Sequence, residues 1–173
     1  MFARLSCALL TTAAFLAPGI GHAAPQNIGA FQNWAAYSTD AGAGKVCYAL
    51  SRPTSTEPKK LHRDAAFFLI NDWPGRKAKG EPEIVPGFQY KDGSAVTVQI
   101  GAGQFSFFTR NDGNAGGAWV EAQADEQRLV DAMKTAPEAV VTGTSKRGTT
   151  IRDTYSLAGF ADALAKAHQA CTM

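Results

Sequence analysis

The chain has 173 residues, with 17 lysines and arginines against 15 aspartates and glutamates and a formal net charge of +2. That near balance gives no electrostatic ground for nucleic-acid binding, and the length suits one domain with a core of its own. Met1 to about Ala23 reads as a cleaved secretory signal: Arg4 forms the positive start, Cys7 to Leu16 the apolar stretch and Gly21-His22-Ala23 the small-residue cut. An apolar run of about ten residues is too short to cross a membrane, so a soluble mature protein with no transmembrane segment is expected. Leu5-Ser6-Cys7 makes a poor lipoprotein signal, because Arg4 stands where an apolar residue is wanted.

Residues 24–30 read as a flexible leader, and residues 31–173 as the folded domain. Phe31 to Tyr37 is expected to form a first strand carrying Trp34. After the turn at Asp40 to Gly44, the segment Lys45 to Arg52 alternates, with Val46, Tyr48 and Leu50 on one face and Cys47 and Ala49 on the other. Pro53 to Lys60 reads as a loop and Ala65 to Ile70 as a strand buried on both sides. Between Asn71 and Gly87, prolines and glycines leave room for only a short strand around Glu83 to Val85. Ser94 to Ile100 and Gln104 to Thr109 flank Gly101-Ala102-Gly103 and predict a hairpin. Asn111 to Gly117 reads as a polar loop leading into Ala118-Trp119-Val120.

Asp125 to Ala136 predicts a helix, with acids at its start and Leu129, Val130 and Met133 on one face. Val140 to Ser145 and Thr149 to Tyr155 predict a second hairpin about Lys146-Arg147-Gly148. The last element, Leu157 to Cys171, has Ser156 as its expected N-cap and Leu157, Phe160, Leu164 and Cys171 at helical spacing. Cys171 then faces inward, and the strand face bearing Cys47 is lined by small Ala49, which leaves room for that helix. A disulfide between Cys47 and Cys171 is therefore expected in an oxidising space. An intermolecular link or a redox pair remains open as an alternative, although no Cys-x-x-Cys spacing marks one.

Little in the chain points to catalysis. His62-Arg63-Asp64 could set a histidine beside a carboxylate for acid/base work, but the stretch reads more simply as a surface loop entering a strand. His168 lies beside the apolar stripe of the last helix and reads as a packing residue. Asn111-Asp112-Gly113-Asn114 offers oxygen ligands without the spaced acid that a calcium loop needs. The basic clusters at Lys59-Lys60-His62-Arg63, Arg76-Lys77-Lys79 and Lys146-Arg147 could touch phosphate-bearing lipid or polysaccharide, or simply be solvated. Phe67, Phe68, Phe105, Phe107, Phe108 and Trp119 could stack sugars, or be core. No catalytic residue, metal ligand or cofactor is expected.

From Phe31 onward the chain carries Trp34, Lys45-Val46-Cys47-Tyr48-Ala49, Gly87-Phe88-Gln89-Tyr90-Lys91-Asp92-Gly93-Ser94 and Ala118-Trp119. Leu129-Val130-Asp131-Ala132-Met133-Lys134, Gly143 to Thr149, Asp153 to Phe160, and Cys171 follow. In this order and spacing the chain resembles the invasion-associated locus B family of secreted and periplasmic proteins. What the resemblance implies is a mainly β, immunoglobulin-like β-sandwich with two helices, and a periplasmic or secreted location that includes association with the outer membrane. It further implies a non-catalytic role in binding a protein or cell-envelope component, linked in some members to host-cell entry. Many members carry an additional cysteine pair in the N-terminal half, which this chain lacks. A chaperone-like module that captures peptides on an edge strand and a hydrolase using His62 and Asp64 stand as the alternatives.

Overall fold

A computed structural model describes residues 24–41, 44–120 and 122–173. The signal segment expected at 1–23 lies outside the described residues. In chain order the elements are β1 (Gln26–Phe31), β2 (Trp34–Ala41), β3 (Gly44–Ser51), β4 (Ser55–Glu57), β5 (Phe67–Trp73), β6 (Ala78–Val85), β7 (Ala95–Ile100), β8 (Gly103–Asp112) and β9 (Ala115–Trp119). Helix α1 (Gln123–Met133), β10 (Glu138–Thr144), β11 (Thr150–Ser156) and helix α2 (Phe160–Cys171) follow, and a short 3-10 turn, Pro74–Arg76, joins β5 to β6.

The eleven strands form one antiparallel sheet in the order β1-β2-β3-β5-β6-β9-β8-β7-β10-β11-β4. The two layers of the expected sandwich are the two halves of this sheet, folded over on itself. Phe68 on β5 meets Tyr155 on β11 edge-on at 5.6 Å, although the two strands stand far apart in the strand order. The mainly β architecture with two helices, one of them C-terminal, is the one the sequence predicts.

Alternation drives most of it. Val96, Val98 and Ile100 on β7 and Phe105 and Phe107 on β8 point into one core, joined there by Leu129, Val130 and Met133 of α1. Helix α2 closes the other end. Phe160 is fully buried against Trp34 at 4.8 Å, and the Trp34 indole N–H donates to the Ser156 carbonyl at 2.9 Å.

Four expectations are corrected. The leader is not loose: Gln26 to Phe31 pairs with β2 as an edge strand, through backbone bonds that composition does not disclose. The expected strand Phe31 to Tyr37 straddles the β1–β2 hairpin, whose turn places Gln32 at φ 51, a left-handed position that the sequence marks with neither glycine nor asparagine. The Pro- and Gly-rich stretch after Asn71 carries a full strand, β6, because Pro82 sits at the margin where pairing with β9 stops. Finally, Ser156 belongs to β11 and its hydroxyl accepts from Ala158 N–H, while Gly159, at φ +87, is the N-cap of α2.

Candidate functional site

Three backbone segments converge outside the core. Asp64 N–H donates to Gly87 O at 3.1 Å, and Lys146 N–H to Gln89 O at 2.8 Å. These bonds draw the residues before β5, the residues after β6 and the β10–β11 turn around an open cleft of about 820 Å³. Gly87 is required there. Its φ is +73, and a Cβ at that position would fall 2.1 Å from the Asp64 carbonyl oxygen.

His62, Asp64, Phe88, Lys146 and Arg147 line this cleft. His62, Lys146 and Arg147 are exposed, so two permanent cations and a histidine face one exposed carboxylate, Asp64. The sequence-predicted histidine and carboxylate thus share a cleft, yet no hydrogen bond joins them among the described residues. The two basic clusters, at 59–63 and at Lys146-Arg147, come together only through the fold.

Beneath the cleft, Arg63 is a strut. Its guanidinium donates to both carboxylate oxygens of Asp153, at 2.8 and 2.5 Å, to the Pro86 carbonyl at 2.9 Å and to the Thr56 hydroxyl at 2.9 Å. The Thr56 hydroxyl in turn donates to Asp153 at 2.6 Å. The pair is almost dry, with side chains 8% and 6% exposed. Two phenols stand nearby, Tyr90 and Tyr155. Burial pushes both hydroxyls above the usual tyrosine range, and the Asp153 charge adds to the effect. Sequence reasoning missed this strut, since nothing local pairs an arginine with an aspartate ninety residues on.

A second constellation fixes α2. Cys47 and Cys171 are bonded, with Cα atoms 5.8 Å apart. Directly opposite Cys47 in the β3–β5 register is Asp72, fully buried, whose carboxylate contacts His168 Nδ1 at 2.5 Å and accepts the Gly80 N–H at 2.9 Å. Lys45 Nζ donates to the Ala170 carbonyl at 2.6 Å. His168 is therefore held in place, as the reading of a packing residue anticipates, but by a hydrogen bond as well as by contact. The Asn111-Asp112-Gly113-Asn114 segment has a structural duty. Asn111 brackets Tyr90, accepting its N–H and donating to its carbonyl, each at 2.9 Å. Of the aromatics, Phe68, Phe105 and Phe107 are core, whereas Phe108 and Trp119 stand on the outer face.

The model of the family described as Invasion associated locus B (IalB) protein matches residues 34–168. The chain belongs to the IalB family. The matched span holds the cleft, the Arg63–Asp153 strut and His168. Among solved structures, the crystal structure of invasion associated protein b from Bartonella henselae is similar, with a TM-score of 0.55 over 87% of this chain and 98% of that one. At 13% identity this likeness speaks for the IalB fold and not for a shared ligand. No curated protein matches.

Proposed function

We propose that this IalB-family chain is an exported, non-catalytic envelope protein that binds a phosphate-bearing envelope component through the cleft beside the β10–β11 turn. In this reading the first 23 residues are a cleaved signal, the domain works in the periplasm or at the outer membrane, and the Cys47–Cys171 bond forms after export. The observation that carries it is the convergence of His62, Lys146 and Arg147 on one open cleft whose floor is braced by Arg63 and Asp153. Exposed cations held on turns suit an oxyanion, whereas a histidine with no carboxylate partner among the described residues is poorly set up as a general base. A contribution to host-cell contact would follow from display of this face at the cell surface. Capture of peptides by strand addition has less support: one sheet edge, β4, is three residues long, and the other, β1, is interrupted by a register shift between Asn27 and Gly29.

The test is co-sedimentation of the purified mature domain with lipopolysaccharide and, separately, with anionic phospholipid vesicles, at low and raised salt. Salt-sensitive binding to either, abolished by the double charge reversal Lys146→Glu and Arg147→Glu, is expected. Binding indifferent to that reversal, or absent from both preparations, would refute the assignment.

A further inference from the structure

The outer face of β5, β6, β9 and β8 carries a patch distinct from the basic cleft. Strand register sets Glu83 opposite Trp119, Trp119 opposite Phe108 and Gly117 opposite Arg110, so these side chains leave the sheet on the same side. With Trp73 and Glu81 they line a shallow cleft of about 350 Å³.

The floor of this cleft is a flat ring. A Cβ built on Gly117 would fall 2.1 Å from the Trp119 six-membered ring. The bare glycine is what lets the indole lie down along its own strand with its other face outward. Phe108, 39% exposed, adds a second ring at 6.0 Å, tilted by 35°. Polar groups edge the floor. Glu83 accepts from the Asn71 amide through Oε2 at 2.9 Å, and Oε1 has no partner among the described residues. Arg76 lies over Trp73 at 4.3 Å and pairs with Glu81 at 2.9 Å. Arg110 has no fixed partner among the described residues, and the Trp73 indole N–H is buried with none.

Two carboxylates and two guanidiniums cancel. An anion would meet Glu81 and Glu83, and a cation would meet Arg76 and Arg110. A neutral ring with an apolar face and hydroxyls around its edge meets neither objection, and it matches an aromatic floor rimmed by donors and acceptors. We propose that this cleft binds a neutral saccharide, with one sugar ring stacked on Trp119 and Phe108 and its hydroxyls held by Glu83 and Arg110.

The experiment titrates the mature domain with the linear trisaccharide of N-acetylglucosamine and, in a second arm, with maltotriose. Tryptophan fluorescence and amide NMR shifts are the readouts. At least one sugar is expected to give saturable shifts centred on Trp119, Arg110 and Glu83. Phe108→Ala and Trp119→Ala should each weaken binding by about tenfold. Gly117→Ala, which tips the indole off its strand, should do the same with the thermal midpoint retained, and Arg147→Glu should leave binding unchanged. Phe108 is exposed, so its variant stays informative should Trp119→Ala fail to fold. No saturable response to either sugar, a response unaltered by the Phe108 and Gly117 variants, or shifts centred on His62 and Lys146 would overturn the proposal, the last while sparing the basic cleft.

Discussion

Replacing Arg63 by methionine removes the strut under the basic cleft while keeping most of its apolar stem. Four hydrogen bonds go with it, two of them to Asp153. Asp153 stays 4% exposed in the folded chain, with Thr56 as its remaining side-chain partner. Stranding one member of a buried ion pair typically costs about 3 to 5 kcal/mol, a large part of a domain stability of about 5 to 15 kcal/mol. In urea, with a slope of about 2 kcal/mol/M, the unfolding midpoint should fall by about 2 M without a change of slope. The double variant Arg63→Met with Asp153→Leu should recover most of that loss, because a well-packed apolar pair can replace a buried ion pair at little net cost. A single-variant loss under about 1 kcal/mol, the scale of an exposed pair, would refute this account of the strut. So would a double variant no more stable than the single one.

Two further outcomes are expected. Phe160→Ala should cost about 3 to 5 kcal/mol, since its ring is fully buried against Trp34, whereas exposed His62→Ala should stay within about 0.5 kcal/mol; urea midpoints that reverse this order would unseat the core assignment. Unfolded, unreduced protein made without its first 23 residues should show no free thiol, and reduction should lower stability by up to about 4 to 5 kcal/mol for a loop of 124 residues; two reactive thiols before reduction would contradict the bond.

What was legible in the sequence is what repeats locally. The alternation of Val96, Val98 and Ile100, the turn glycines beside them and the stripe through Phe160, Leu164 and Cys171 each announce an element and its buried face. The Cys47–Cys171 pairing could be read because the chain without its first 23 residues offers no other cysteine. What escaped depends on partners distant in sequence. Strand β1 is made a strand by its neighbour β2, not by its own residues. Asp72 becomes a ligand for His168 only once β5 lies beneath α2, and Arg63 finds Asp153 only after β4, β11 and the entry to β5 have come together. The same limit hid both clefts. The basic residues and the outer aromatics were visible as residues, but which of them share a face is decided by the strand order.

Helix α2 rests on β1, β2 and β3, so the earliest and latest parts of the described chain complete one another. A polypeptide emerges from the ribosome N-terminus first. The sheet's leading edge must therefore persist without its cover until nearly all the rest has been made, since Trp34 has no Phe160 to meet before then. Non-local topologies of this kind gain little from partial folding, because loop closure comes before its reward. The unfinished chain should consequently stay pliable and lock only once α2 has been made. By the same logic, a nonsense mutation that removes only the last dozen or so residues would leave the leading strands without their lid and hand the whole domain to proteolysis.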